Sequence, residues 1–268
     1  MAKRISKADI YRKYGIEYKA GKINAPIFGW IKPLLIDGNE KLGKGAYHWS
    51  MLAGNYMWKI NMANDNESND TMEVLGTCHC NCPGCYAQRN NYCFKSCKQS
   101  LARKTILARL YPEFVRNAII AQIQADKIHI CRIHASGDFF NDSYIAMWLY
   151  IVNTCKTTVF WSYTKNEKAE NAFNGCENCN IVKSIVPGIG LNYGHCSYII
   201  STYYALKEQG KNVYICRCGI DKNQHCTTCK GCSKNEYVLF IEHSTEYKAE
   251  QDGLFPVLKS LIDSQSVQ

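Results

Sequence analysis

Four cysteines fall within eight positions in the segment Thr77-Cys78-His79-Cys80-Asn81-Cys82-Pro83-Gly84-Cys85-Tyr86-Ala87. Read as Cys78, Cys82 and Cys85, they space as C-x3-C-x2-C. Three thiolates on one loop can hold three corners of a 4Fe-4S cluster, and the fourth iron then stays open to a small molecule. Cys80 is an extra thiol inside the motif and competes with Cys78 as a ligand. If all four cysteines bind one ion, the site is instead a closed, tetrahedral zinc site.

A second group follows near the C-terminus. Cys216-Arg217-Cys218 and Cys226-Thr227-Thr228-Cys229-Lys230-Gly231-Cys232 supply five thiols in seventeen residues, with His225 among them. Consecutive C-x2-C steps after a short loop are a strong metal signal. Cys218, Cys226, Cys229 and Cys232 make a complete four-ligand set that suits structural zinc and a second iron–sulfur cluster equally. Cys176-Glu177-Asn178-Cys179 is a further C-x2-C standing alone. It could join either group in space or form a redox pair, although an isolated pair is more often neither. Cys93 and Cys97 are one helical turn apart, and Cys131, Cys155 and Cys196 read as buried small hydrophobes.

Sixteen cysteines in 268 residues would read as a disulfide framework in a secreted chain. The basic start Met1-Ala2-Lys3-Arg4-Ile5-Ser6-Lys7 lacks a following apolar stretch and a cleavage site, so no secretory signal is expected. A cytoplasmic location follows as the expectation, where thiols stay reduced and clustered cysteines bind metal. No run of about 18 apolar residues occurs, so no membrane partner is expected. The formal net charge is +9, which suits either an ordinary soluble surface or a surface for a nucleic acid. The densest basic stretch holds Lys95, Lys98, Arg103, Lys104, Arg109 and Arg116.

Positioning such residues requires elements, and the periodicity supplies them. Leu101, Ile106, Leu107, Leu110, Phe114, Ala118, Ile119 and Ile123 recur at helical spacing, with Pro112 marking a boundary between two helices. Ile128 to His134 alternates and is β-branched, which predicts a strand ending in the turn Ser136-Gly137-Asp138. A helix is expected over 141–153, strands over 158–163, 180–185 and 212–216, and a helix over 198–209. Strands alternating with helices predict α/β with a parallel sheet. Leu42-Gly43-Lys44-Gly45-Ala46 lacks the spacing and hydroxyl of a phosphate loop and reads as a turn. His134 and His195 read equally well as hydrogen-bonded histidines without catalytic duty. Most of the 18 tyrosines and five tryptophans read as core and rim aromatics, although such rings can also stack on bases.

The C-x3-C-x2-C spacing ending in Cys85-Tyr86-Ala87 resembles the radical SAM superfamily. Gly84 departs from that pattern, which usually places an aromatic there. The chain as a whole, over about 40–245, more closely resembles the gene-product-88-like proteins of phages and mobile elements. The shared features are the Cys-Tyr-Ala segment, Ser136-Gly137-Asp138-Phe139, Phe160-Trp161-Ser162-Tyr163-Thr164-Lys165, the terminal cysteine group and His243.

The radical SAM resemblance implies a partial (β/α) barrel, with Met72 to Leu75 as its first strand and Ile128 to His134 as its second. It implies cofactor contacts from Ser136, Gly137, Asp138, Ser162 and Thr164, with Asp138 and Lys165 as catalytic residues. The ordinary reading of the Ser136-Gly137-Asp138 segment is a tight turn with a helix-capping aspartate. The expected organisation is an N-terminal segment (1–70), an α/β core with the first cysteine group (71–215) and a small cysteine-rich C-terminal metal site (216–268). The expected activity is reductive cleavage of S-adenosylmethionine, fed by an electron donor and acting on a nucleic acid or nucleotide. The alternative is a non-enzymatic nucleic-acid-binding protein stabilised by zinc or iron–sulfur.

Overall fold

The computed structural model describes residues 5–38, 42–62, 71–79, 81, 85–88, 90–183, 196–217, 224–229, 231–239 and 255–265. Cys80, Cys82, Cys218, His195, His243 and the end of the strand expected over 180–185 lie outside them.

The chain opens with α1 (Lys7–Lys13), whose Ser6 and Asp9 form a reciprocal capping box. The strands β1 (Tyr18–Lys19), β2 (Lys22–Ala25) and β3 (Gly29–Ile31) form a small antiparallel sheet. Then come β4 (Ile36–Asp37), β5 (Ala46–Ser50) and a hairpin of β6 (Met57–Asn61) and β7 (Thr71–Leu75). Two helices follow, α2 (Lys95–Leu110) and α3 (Pro112–Asp126), then β8 (Ile130–Ser136), α4 (Asp142–Thr154), β9 (Val159–Thr164), α5 (Glu167–Ala172) and β10 (Cys179–Lys183). The last part holds α6 (Cys196–Glu208), β11 (Val213–Ile215), the single turns α7 (Cys226–Cys229) and α8 (Gly231–Lys234), β12 (Tyr237–Leu239) and α9 (Phe255–Ser264).

Pro112 occupies the first turn of α3, where its missing N–H costs nothing, so the expected helix boundary falls there. Asn141 and Asn166 cap α4 and α5 through their side-chain oxygens.

The main sheet runs β10-β9-β8-β5-β4. The strands β5, β8, β9 and β10 are parallel, and β4 is antiparallel at one edge. Chain order and spatial order coincide along the parallel strands. With right-handed crossovers, such single winding places every connecting helix on one face. The contacts agree, since α2 packs on α3, α3 on α4 and α4 on α5. Among the described residues the sheet is open.

Met72 to Leu75 does not supply the first parallel strand. It pairs antiparallel with β6 in the hairpin, and β5 takes the place beside β8. Burial explains the difference. In β7 only Val74 is buried, which suits a ribbon covering one face. In β5 four of five residues are buried, as a strand inside a parallel sheet requires. The parallel part of the sheet therefore begins at residue 46, beside the antiparallel edge strand β4.

The two sheet faces meet different partners. Cys131, Phe160, Met51 and Trp49 face the helices and pack with Trp148, Ile151 and Phe139. Ile130, Trp161 and Tyr163 face the other way, against Leu42, Cys226, Cys232 and Val238. The C-terminal cysteine-rich segment thus lies on the face that the helices leave bare. A further small core joins α6, β11, β12 and α9 through Ile199, Val213, Ile215, Leu239, Leu258 and Ile262.

Candidate functional site at the carboxyl edge of the sheet

The carboxyl ends of β5, β8 and β9 meet at one place, and the first cysteine group starts there. Met51 N–H donates to the Ser136 carbonyl at 2.9 Å, and Ser136 Oγ returns a bond to the Met51 carbonyl at 2.7 Å. Thr77 donates through both its N–H (2.9 Å) and its Oγ1 (2.8 Å) to the Leu52 carbonyl. Cys78 N–H donates to Gly54 O at 3.2 Å. The cysteine loop, although separated from β5 by the hairpin in sequence, is therefore fastened to the residues that leave β5. Arg109 adds a clamp: its Nη2 donates to the Gly76 carbonyl at 3.0 Å, and its guanidinium lies 4.4 Å from the Phe140 ring centroid.

Gly137 lets this happen. Its φ is +85°, and a Cβ there would stand 2.5 Å from Thr77 Oγ1 and 3.1 Å from Met51 Cβ. Only glycine combines that conformation with so close an approach. The same Thr77 Oγ1 accepts from Asp138 N–H at 3.2 Å.

The Asp138 carboxylate is a brace between strand ends. Its Oδ1 accepts from Phe139 N–H at 2.8 Å and from Thr164 Oγ1 at 2.6 Å, and its Oδ2 accepts from Lys165 N–H at 3.0 Å. Three of roughly four acceptor directions of a carboxylate are taken. Burial pushes its pKa above the usual carboxylate value, while the bonds from Thr164, Lys165 and Phe139 pull it back. Asp138 does not cap the following helix, because Asn141 does.

Cys78 stands against this brace. Burial pushes its thiol up to about 12, the charges of Asp138 and Cys85 act in the same direction, and Lys165 opposes them. Without metal, Cys78 is thus a protonated thiol at neutral pH. The structure brings Cys78, Cys85, Asp138 and Lys165 into one neighbourhood, together with Tyr56, whose phenol is raised by burial and then by Cys85 and Cys78. His79 joins them: its Nε2 meets the Phe139 carbonyl at 2.7 Å, and Asn166 Nδ2 donates to the same oxygen at 2.9 Å. Among the described residues, no three ligating side chains form a group that could hold a metal ion, but Cys80 and Cys82 lie outside them.

Ser162 does not reach this place. It is fully buried on the helix-facing side, its Oγ 3.2 Å from His134 Nδ1. His134 Nε2 stands 3.0 Å from Tyr144 Oη, and burial pulls the imidazole down to about 3. A register irregularity between β5 and β8, where His48 pairs Arg132 and Ser50 pairs Ser136, turns His134 toward α4. His134 is a neutral core histidine. Sequence reasoning missed Thr77, His79, Asn166 and Tyr56. The first two were signalled by adjacency to Cys78; Asn166 and Tyr56 carry no such local mark.

In the second group, Cys216, Cys229 and Cys232 are buried and Cys226 is half-buried. Tyr214 Oη lies 2.8 Å from Cys229 Sγ. Burial pushes the Cys232 thiol up to about 12, followed by the charge of Cys216, while a bond from Tyr163 and the charge of Arg132 act in opposition. Cys216, left out of the expected ligand set, therefore lies beside Cys232; Cys218 is outside the described residues. Asn180 of β10 holds this segment through bonds to the Cys232 and Asn235 carbonyls at 2.8 and 2.9 Å. Gly231 lies so close to the Tyr214 ring that a Cβ would sit 2.3 Å from it.

The basic stretch over 95–116 is not one surface. Lys104 is buried, Arg109 is spent on the loop, Lys98 lies over Trp58 and Arg116 over Tyr150. Among the described residues no helix is long and apolar enough to cross a membrane.

The fold and site define a singly wound parallel α/β protein carrying thiols at the carboxyl edge of its sheet. Residues 33–186 match the family model described as gene product 88, and the chain belongs to that family. It is also 32% identical over 65 residues to the Gene 88 protein of Mycobacterium phage D29, which covers 24% of this chain. That match spans about a quarter (25%) of the relative's own length. No solved structure matches. The family match takes in the parallel sheet and the first cysteine group and stops before the second.

Proposed function

We propose that this protein is an iron–sulfur enzyme of radical SAM type on a partial (β/α) barrel, with a second metal site in its C-terminal cysteine segment. The observation that carries the reading is the attachment of the cysteine loop to the carboxyl end of β5, face to face with the Ser136-Gly137-Asp138 turn that ends the next strand. Ligand and active sites of parallel α/β folds lie at that edge. The single winding of β5, β8, β9 and β10 is the strand order of a barrel segment.

Cys78, Cys82 and Cys85 would hold a 4Fe-4S cluster, and the donor chemistry fits: two of the thiols share a neighbourhood with the Lys165 ammonium, which offsets thiolate charge. Such a cluster supplies one-electron reductive cleavage of S-adenosylmethionine, with the electron coming from a separate donor. Gly137 keeps side-chain bulk out of the contact between the turn and the loop. Asp138 offers its remaining acceptor direction to a ligand ammonium or hydroxyl. Thr164 and the Lys165 N–H fix that carboxylate. Ser162 acts at one remove, by filling the core beneath. The basic excess favours a nucleic acid or nucleotide as substrate.

A second reading is a zinc-stabilised nucleic-acid-binding protein. It draws on the internal engagement of Asp138 and on the burial of Cys216, Cys229 and Cys232, both of which suit closed, structural roles.

Anaerobic purification with iron, sulfide and zinc analysis separates the two. The expected result is about four irons with matching sulfide at the first site, lost in Cys82→Ala. Zinc alone, with no iron after reconstitution, overturns the radical reading.

A further inference from the structure

The isolated C-x2-C lies on the helix-facing side of the sheet, away from both cysteine groups. Cys179 begins β10 in register with Phe160, which is in register with Cys131, and these side chains pack with the main core. The second cysteine group packs on the opposite face. Cys131, Cys155, Cys176 and Cys179 are all described, and no three ligating side chains there could hold a metal ion. Among the described residues the pair is therefore not part of a metal-holding group.

Its backbone is arranged for a different chemistry. Cys179 N–H donates to the Cys176 carbonyl at 3.1 Å, closing a turn over Glu177 and Asn178. A β-turn brings its end Cα atoms within about 7 Å, close to the window of roughly 4.4–6.8 Å that a disulfide spans. The turn is held from outside. Asn178 Nδ2 donates to the carbonyls of Val152 (3.1 Å), Cys155 (3.2 Å) and Thr158 (3.0 Å), and the Asn178 backbone carbonyl accepts from Phe160 N–H at 2.8 Å. On the other side Cys176 N–H donates to Phe173 O at 3.0 Å. Both thiols are free and half-buried.

We infer that Cys176 and Cys179 form a thiol–disulfide exchange site, which closes an intramolecular disulfide when a low-molecular-weight disulfide is the oxidant. The Cys176 thiolate attacks one sulfur of the oxidant, and the other sulfur leaves and takes up a proton. The Cys179 thiolate then attacks the Cys176 sulfur and expels the second half of the oxidant as a thiol. Two protein thiols are oxidised to one disulfide, and one small disulfide is reduced to two thiols. Burial raises the Cys179 thiol well above its ordinary range, with Cys176 acting in the same direction, so Cys179 is the second, intramolecular partner. The bond would clasp the start of β10, the strand whose Asn180 carries Cys232.

The test uses the full chain, purified anaerobically and exposed to oxidised glutathione, with remaining thiols alkylated in acid and each cysteine located by peptide mass spectrometry. The expected product is a Cys176–Cys179 peptide lighter by two hydrogens, restored by dithiothreitol. In Cys179→Ser the glutathione should remain as a mixed disulfide on Cys176. A persistent mixed disulfide on wild-type Cys176 overturns the inference, as does pairing of Cys179 with Cys131 or Cys155. So does alkylation of both thiols while other cysteines are oxidised. None of these outcomes depends on iron or zinc at the other groups.

Discussion

Replacing Lys104 with methionine should make the protein more stable at neutral pH. The lysine lies on α2 with 6% of its surface exposed. Its Nζ has no hydrogen-bond partner among the described residues and stands 5.5 Å from the Trp49 ring centroid. Burial pulls its pKa from the ordinary 10.5 to about 8, with Cys97 acting in the opposite direction. A folded pKa below the unfolded one means that the fold prefers the neutral amine. Below about pH 8 both states carry the proton and the whole cost of burying the charge is present. Between about 8 and 10.5 the native state has lost the proton while the unfolded chain keeps it, so stability rises with pH. At roughly 1.4 kcal/mol per pH unit, that gap is a penalty of about 3 kcal/mol at pH 7. Contact with the Trp49 ring offsets about 1 kcal/mol of it.

Lys104→Met keeps the length of the side chain and removes the charge, so a gain of about 2 kcal/mol is expected at pH 7. Nearby His48 does not confuse the comparison. Burial, and after it the charges of Lys104 and Arg132, pull its pKa to about 4, so it is neutral throughout the window. Urea unfolding followed by tryptophan fluorescence, run on both proteins at pH 7 and pH 10.5, measures the effect. The gain should be clearly larger at the lower pH than at the higher, where only the cost of the unpartnered neutral amine remains. Loss of stability at pH 7, or an equal gain at both, would refute the reasoning.

Gly137→Ala should cost about 3 kcal/mol, because it combines a left-handed backbone with a Cβ pressed into Thr77 and Met51. The melting temperature should fall by roughly 6–12 °C for a chain of this size, and an unchanged value would mean that the turn relaxes freely. Asp138→Ala leaves the Phe139, Thr164 and Lys165 donors without their acceptor, for a loss of about 3–5 kcal/mol, whereas Asp138→Asn should lose about half as much by keeping an oxygen for two of them. Thermal unfolding of the two variants side by side checks the order, and equal losses would show that the charge rather than the bonds carries the effect.

The sequence alone determined the alternation of helices and strands from about residue 100 to 183, because helical spacing, β-branched alternation and Pro112 are all local signals. It also singled out both cysteine groups and the Ser136-Gly137-Asp138 turn, since these are residue types at fixed spacing. What it did not determine is which strand stands first in the sheet. A short apolar run reads alike whether it is covered on one face, as in β7, or on both, as in β5, and only packing separates them. The irregularity in β8 that turns His134 into the core rather than to the sheet's edge is likewise a matter of pairing with β5, invisible along one strand. Tyr56 and Asn166 reach the cysteine loop from 22 residues before Cys78 and from 81 residues beyond Cys85. Cys216 reaches Cys232 only because the C-terminal segment folds over the bare face of the sheet. Local residue pattern marks an element and a ligand type. Which groups share one site is decided by contacts between distant segments, and those exist only once the sheet and its covering layers have closed together.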